Sequence, residues 1–344
     1  MKILFPASHW ASNIGNPFFT LGVKYAVEKA VPEAEVIQTA GNPILPMKLK
    51  GRARRQAFNY SEYVGDVDAV MFAGPMFDRN FRQFYEPAFK AAQEDRIPIF
   101  LVSAGGMQYD QQEINHCRAM LQQYKPHMLL TRDAPTFDAY GDLAHHSLDG
   151  ICGAWFSPDY YPGYETRRVE PYCTSVFDFR PEPRSETLAD ALEEQPQLSG
   201  RAYSNSRIRA RIGRTLDRGG PSLVSKHLIV RPCHRPANHP LTIFTKPNTF
   251  AAYTPYGYLN LYRNTKVTIT DRLHAAVVTL AYGNPAYLFL RSKRSHLLAA
   301  VGVEYAPGKR LELDQAYLAS RRENVIHFLG KAISASCATG GHNL

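Results

Sequence analysis

The sequence predicts an α/β fold in two domains, each with a parallel sheet covered by helices on both sides, and three features carry that prediction. Short apolar runs alternate with segments of helical period through both halves of the chain. Several runs end in Gly-containing or polar turns, the form that carboxyl ends of strands take where open α/β sheets bind ligands. The 344 residues, 44% of them hydrophobic, supply two cores at roughly 150 residues each.

In chain order, KILFP (2–6) is an apolar strand followed by the loop SHWASNIGN. Asn16 as cap and Pro17 at the first position then open a helix whose Phe18, Leu21 and Tyr25 share a face. EVIQT (35–39), DAVMFAG (68–74), IPIFLVSAGG (97–106) and HMLLTRD (127–133) read as further strands. Between them Arg82–Asp95 and Glu113–Tyr124 read as helices, the second with Ile114, Cys117 and Leu121 on one face. From about Pro158 the composition turns to Pro, Tyr and charge, PDYYPGYETRRVEP, which reads as a connection between domains. YCTSVFDF (172–179) starts the second α/β unit, followed by a helix over Glu186–Glu194, the strand HLIVRP (227–232), the loop CHRPANHPL, a helix around Phe250–Arg263 and the strand AYLFLRS (286–292). Glu312–Ala335 is helical and the tail SCATGGHNL frays. The expected divisions are 1–165, 166–320, and a terminal helix and tail over 321–344.

Within the second half, KVTITDRLHAAVVTLAYG (266–283) runs a short strand directly into a helix. Asp271 stands at the expected N-cap, Gly283 at the stop, and Asn284-Pro285 follows as a breaker. Arg272 and His274 then fall in the first helical turn, where free N–H groups and the helix dipole favour an anion, so they form a candidate phosphate or carboxylate site. The alternative makes Arg272 the partner of a surface carboxylate and His274 a satisfied boundary residue.

Composition bounds the function classes. No stretch approaches the ~20 apolar residues of a membrane span, and MKILFPASHW reads better as a first strand than as a signal peptide, so a cytoplasmic protein is expected. The five cysteines, Cys117, Cys152, Cys173, Cys233 and Cys337, form no C-x-x-C pair, and neither disulfides nor a metal site is expected. Cys233 beside His234 is open to two readings, a nucleophile or ligand pair and a buried thiol at a strand end. The formal charge of +9, concentrated at Lys48–Arg55 and Arg207–Arg218, suits anionic partners: nucleic acid, phosphorylated metabolites, acidic glycans or diphospholipid carriers. Neither G-x-G-x-x-G nor G-x-x-x-x-G-K-S/T occurs, so nucleotide binding through those loops has no support.

TDRLHAAVVTLAYGNPAYLFLRSK resembles the second-domain signature of the polysaccharide pyruvyl transferase family: a strand, R-x-H opening a helix, G-x-P, another strand and a downstream Lys. SNIGN is similar to that family's N-x-G-D loop, VSAGG to its fourth-strand turn, and TRDAPTFDAYG to its R-D-x-x-S segment, all in the family's order. Asn16 stands in place of the family's Asp, AGPMF (73–77) in place of a glycine-richer turn, and Thr136 in place of Ser. The resemblance implies two Rossmann-like domains, GT-B-like, facing across a cleft that holds the site, with the acceptor on the N-terminal side and the donor on the side carrying R-x-H.

The implied reaction moves the pyruvyl group of phosphoenolpyruvate to a sugar hydroxyl of a glycan or lipid-linked precursor, as in exopolysaccharide synthesis. The product is a ketal, or an enolpyruvyl ether in a variant, and phosphate leaves. No cofactor is needed, phosphoenolpyruvate being the donor substrate. Arg272 suits the donor's carboxylate or phosphate because its planar fork gives bidentate, charge-assisted bonds, with Arg132 and Arg231 as further candidates at strand ends. His274 titrates near neutrality and is expected to protonate the leaving phosphate or the enol carbon, or to bind the anion. Asn13, Gly15, Ser103, Gly105 and Gly106 are expected to line the opposite wall. Asp133 would orient Arg132 or take a hydroxyl proton, His234 and, below it, His9 are candidate bases, Leu273 belongs to the R-L-H match, and Lys293 matches the family's Lys. Tyrosines of YYPGY and YTPYGYLNLY offer sugar-stacking faces, against the alternative that Tyr256, Tyr258 and Tyr262 are core or helix surface.

Two other functions stand beside this one: a GT-B glycosyltransferase using a nucleotide sugar, and a non-catalytic binder of an anionic polymer through the basic runs. Nucleic acid ranks low because those runs lack a reading motif. The basic surface also gives a means of peripheral contact with an anionic membrane at its inner face.

Overall fold

The computed structural model describes residues 1–7, 10, 13–39, 66–166, 171–198, 221–236, 244 and 246–340. The basic runs Lys48–Arg55 and Arg207–Arg218, and His9, lie outside them. The chain divides into two compact units, one of Met1–His9, Phe19–Phe156 and Ala316–Leu344, the other of Trp10–Phe18 and Ser157–Gln315.

The first unit holds β1 (Lys2–Pro6), β2 (Glu35–Thr39), β3 (Ala69–Phe77), β4 (Ile99–Gly106), β5 (Met128–Thr131) and β6 (His146–Asp149). All pair in parallel in the order β2-β1-β3-β4-β5-β6, so the strand order reverses between β1 and β3. The helices are α1 (Gly15–Ala30, whose first residues belong to the second unit), α2 (Phe81–Glu94), α3 (Gln111–Tyr124) and α4 (Ala134–Tyr140). Phe81, Tyr85 and Phe89 of α2 and Cys117, Met120 and Leu121 of α3 bury one face of the sheet against Val70, Phe72, Leu101 and Leu129. The helical and period-2 spacings of these residues produce that packing.

The second unit holds β7 (Tyr172–Val176), β8 (Leu223–Val224), β9 (His227–Pro232), β10 (Thr249–Phe250), β11 (Thr268–Thr270), β12 (Ala286–Leu288) and β13 (Arg310–Leu311). The order is β10-β9-β7-β11-β12-β13, with β8 on β9; only β8 and β13 pair antiparallel. In chain order the first five parallel strands, β7, β9, β10, β11 and β12, lie as third-second-first-fourth-fifth, so the order reverses between β7 and β11. Its helices are α5 (Ser185–Leu192), α6 (Tyr256–Asn264) and α7 (Leu273–Ala281); α8 (Gln315–Gly340) belongs, but for its first residue, to the first unit. All nine residues of α7 are buried, as an apolar helix covered on every side must be.

Some boundaries differ from the sequence reading. The helix expected around Phe250 starts at Tyr256, because Thr249 and Phe250 pair with β9 and Pro255 occupies the position before the helix. The terminal helix continues through the expected frayed segment to Gly340. No helix among the described residues is long and apolar enough to cross a membrane.

Candidate functional site

The carboxyl ends of β7 and β11 lie side by side where the second sheet's strand order reverses, the place where open α/β sheets leave a crevice for ligands. β7 delivers Asp178 and Phe179 there, and β11 delivers Asp271 and Arg272. Asp271 does not cap α7 as the sequence suggests. Its carboxylate instead accepts the backbone N–H of Asp178 at 3.1 Å and of Phe179 at 2.8 Å, tying the two strand ends together. Arg272 takes the N-cap position with extended backbone, and its N–H is satisfied by Thr270 Oγ1 at 2.8 Å. It therefore stands just before the first helical turn rather than inside it.

Arg272 is 8% exposed. It donates to Asn13 Oδ1, lies 3.5 Å from Asp178 Oδ2, and sits over the Phe179 ring at 4.7 Å from the centroid. Asn13 Oδ1 also accepts Gly15 N–H at 3.2 Å, and its Nδ2 donates to Asn16 at 3.0 Å, so its carboxamide is fixed from three directions. A Cβ on Gly15 would stand 3.0 Å from His274 Nδ1, which is why glycine suits this close approach. His274, buried in the first turn of α7, thus joins Arg272, Asn13 and Gly15 in one group. Asn13 and Gly15, assigned in the sequence reading to the opposite wall, belong to the second unit beside R-L-H. Leu273 packs as the buried first residue of α7.

Two carboxylates share this buried place. Burial, and next the charge of Asp178, push Asp271 up to about 7, while the two amide N–H groups pull it down. The sequence reading missed Asp178 and Phe179 because VFDF reads as continuing strand; an Asp directly after an apolar run was the available signal.

Other predicted residues have different neighbours. Arg231 is buried with its Nε on both oxygens of Glu182, at 2.9 and 2.8 Å, and its terminal nitrogens on the Pro247 and Pro221 carbonyls. Its donors are committed to protein groups. His234 is 0% exposed, with Nε2 bonded to Tyr262 Oη and the Phe18 ring edge-on at 5.8 Å. Burial, then the Arg272 charge, hold its pKa well below the ordinary histidine value. Its carbonyl accepts Ile14 N–H at 2.8 Å, so it anchors the segment that carries Asn13 rather than facing solvent as a base would. Cys233 is buried and free, its thiol pushed up to about 11 by burial. Tyr258 and Tyr262 are core residues, whereas Tyr256 and Tyr164 are exposed. Lys293 is exposed on the short turn after β12.

In the first unit, Ser103, Gly105, Arg132 and Asp133 meet at the ends of β4 and β5. Ser103 sits at a break in strand register with φ +55°, and its Oγ accepts Gly153 N–H at 2.9 Å. Arg132 is 0% exposed and packs flat on Gly105, where a Cβ would come within 2.1 Å of its Nε. Its Nη2 donates to the Gly106 carbonyl at 3.3 Å, and its Nε lies 3.6 Å from Asp133; among the described residues neither Nε nor Nη1 has a hydrogen-bond partner. Asp133 caps α4 through Thr136 N–H at 2.9 Å and accepts the Tyr109 hydroxyl at 2.8 Å. Glu113 fills the loop after β4, accepting the N–H groups of Met107, Gln108 and Tyr109. Among the described residues no group of three or more His, Cys, Asp or Glu is arranged to hold a metal.

Residues 13–293 match the family model for polysaccharide pyruvyl transferase, a span that starts at Asn13, contains the Arg272 group and ends at Lys293. The chain belongs to that family. No curated protein is significantly similar in sequence to this pyruvyl transferase family member. Among solved structures, a Listeria monocytogenes protein assigned as a UDP-N-acetylglucosamine 2-epimerase is similar at a TM-score of 0.50 and 10% identity, over 96% of this chain and 90% of that one. S. aureus MnaA in a UDP co-structure gives 0.49 and 15%, over 96% and 91%. The Methanocaldococcus jannaschii UDP-GlcNAc 2-epimerase, in complex with UDP-GlcNAc and UDP, gives 0.48 and 12%, over 98% and 99%. The likeness is one of fold: two parallel-rich α/β sheets of GT-B type.

Proposed function

We propose that this family member transfers the pyruvyl group of phosphoenolpyruvate to a glycan or lipid-linked glycan precursor, forming a ketal and releasing phosphate. The observation that supports this reading is the Arg272 group at the reversal point of the second sheet, inside the matched span. A guanidinium fixed by Asn13 and a histidine one residue into the following helix suit a donor with both carboxylate and phosphate.

In the reaction the bond between the enol carbon and the phosphate oxygen breaks, and two sugar oxygens bond to that carbon. Of the two hydroxyl protons, one reaches the methylene carbon, which becomes methyl, and one reaches phosphate. Arg272 holds the donor, and His274 carries a proton to the enol carbon or the departing phosphate. Lys293 is a further donor or acceptor contact on the strength of the family pattern, whereas Arg132 and Asp133 are fully enclosed at the ends of β4 and β5 and serve the fold. The ketal chemistry itself calls for no redox or organic cofactor. The protein works in the cytoplasm, with its net charge of +9 favouring contact with an anionic membrane that carries the acceptor.

The test is release of phosphate from phosphoenolpyruvate with and without candidate acceptors, alongside thermal-shift comparison of phosphoenolpyruvate with nucleotide sugars. Acceptor-dependent release, and stabilisation by phosphoenolpyruvate lost in Arg272→Ala, are expected. Stabilisation by nucleotide sugars alone would replace this reading with a glycosyltransferase.

A further inference from the structure

We infer that Tyr161, Tyr164 and Tyr256 form a fixed aromatic platform on the second unit that binds neutral sugar rings of the acceptor glycan. This rests on the acceptor being a glycan and is independent of the donor's identity.

The three tyrosines come from two segments that the fold locks together. Tyr161 and Tyr164 stand on the segment before β7, and Tyr256 opens α6. The Tyr161 and Tyr256 rings lie 5.4 Å apart at 45°. Burial, then the neighbouring Tyr164 and Tyr256, push the Tyr161 hydroxyl above its ordinary pKa, so the three phenols form one cluster. Tyr164 is 63% exposed and Tyr256 43%, while Tyr161 is half-buried. The backbone beneath them is held from α6 and α7. Asn260, buried on α6, accepts the Tyr164 N–H at 3.0 Å, and Asn264 donates to the Tyr164 carbonyl at 2.9 Å and accepts the Thr166 N–H at 3.2 Å. Arg263 Nε donates to the Pro162 carbonyl, and the Tyr282 hydroxyl at the end of α7 donates to the Tyr161 carbonyl. Gly163, with φ +69°, permits this approach, since a Cβ there would stand 2.6 Å from Arg263 Cδ.

An aromatic ring gains most by turning inward, and Tyr258 and Tyr262 of the same helix do so. Tyr164 and Tyr256 stay outside, on backbone that polar side chains of α6 hold in place. Rings fixed in this way lose little entropy when a ligand settles on them. A tyrosine presents an apolar face and a hydroxyl at its rim, which matches a pyranose with C–H groups on its face and hydroxyls around its edge. A lipid surface would call for aliphatic side chains, and these three positions hold none. The platform also stands at the right end of the sheet. β10, which leads into α6, runs parallel with β9, β7 and β11, so Tyr256 lies at the carboxyl end of the second sheet, the end that carries Arg272.

The experiment is calorimetric titration of the full chain with cello-, malto-, manno- and galacto-hexaose, beside the thermal shift given by phosphoenolpyruvate. Wild type is expected to bind at least one hexaose, and Tyr164→Ala and Tyr256→Ala should each weaken that binding about tenfold. Tyr164→Phe and Tyr256→Phe keep the ring and should lose about threefold or less. All these variants should keep the wild-type melting temperature and its shift with phosphoenolpyruvate. No hexaose bound by wild type, or equal binding by wild type and both alanine variants, overturns the inference, and an unchanged phosphoenolpyruvate shift then leaves pyruvyl transfer standing. Hexaose binding untouched while binding to anionic phospholipid vesicles is lost in the alanine variants also overturns it, making the surface a membrane contact. If phosphoenolpyruvate gives wild type no shift while the alanine variants lose the hexaose, the donor assignment fails and the platform stands.

Discussion

Thr131-Arg132-Asp133 in the first unit and Thr270-Asp271-Arg272 in the second use the same three residue types between an interior strand and the helix that follows, with Arg and Asp exchanged. In both, the Thr hydroxyl reaches the carbonyl two residues ahead at 3.4 Å. The exchange decides what each arginine does. With Asp at the N-cap, Asp133 satisfies α4 and Arg132 folds back over Gly105, fully enclosed. With Arg at the N-cap, Arg272 is carried to the rim of its sheet, and Asp271, one residue earlier, braces the neighbouring strand end. Sheet order reinforces the difference, because Arg272 stands at a reversal between β7 and β11, whereas β4 and β5 are consecutive neighbours away from the reversal between β1 and β3. A strand-end arginine becomes a candidate anion site where topology opens a crevice, and a buried cation where it does not.

The largest expected effect separates the two aspartates. Asp133→Ala removes a helix cap, the acceptor of Tyr109 and the carboxylate beside the fully buried Arg132 guanidinium, and should cost about 3–5 kcal/mol in urea unfolding. Asp271→Ala, which frees two amide groups but leaves Asp178 beside Arg272, should cost about 1–3 kcal/mol. The reverse order would break the comparison.

Next come the arginines. Arg272→Lys should lower phosphate release about 100-fold, because a lysine lacks the planar fork, with a change in melting temperature of only a few degrees. Arg132→Met should lower the melting temperature, since it leaves the fully buried Asp133 carboxylate without its paired cation.

A third effect lies in the pH dependence of stability. Asp271 has a folded value of about 7, above its unfolded value, so the folded state holds the proton more tightly. Stability should therefore fall as pH rises from about 4 to about 7, and Asp271→Asn should flatten that slope. His234 acts oppositely. Its folded value is depressed, the unfolded chain is protonated first, and stability should be lost as pH falls below about 6.5. The smallest effect is expected from Gly15→Ala, whose added methyl meets His274 Nδ1 at 3.0 Å. Activity should drop about tenfold by displacement of the imidazole, with under about 1 kcal/mol of stability lost.

The parallel sheets, their alternation with helices and the placing of Arg272 and His274 at a strand-to-helix junction could be read from residue patterns, because strand runs, helical spacing and the R-L-H segment are local features. The companions of Arg272 were not legible in the same way. Asn13 lies 259 positions from Arg272, and Asp178 and Phe179 come from another strand, so their meeting depends on strand order rather than on spacing. Arg231 and His234 resembled site residues because strand-end cations do, and only their partners, Glu182 and Tyr262, show them to be committed to the fold. The reading of Asp271 as an N-cap failed for a related reason: a nearby loop with two free N–H groups competed for its carboxylate and won.

The central claim is that the Arg272 group receives the donor, and the most direct measurement is a crystal of the full chain soaked with phosphoenolpyruvate. The account predicts density for its carboxylate or phosphate on Arg272, beside His274 and within reach of Asn13. Donor density on Arg132 with the Arg272 group empty, or no donor density in crystals that bind a nucleotide sugar, would contradict it.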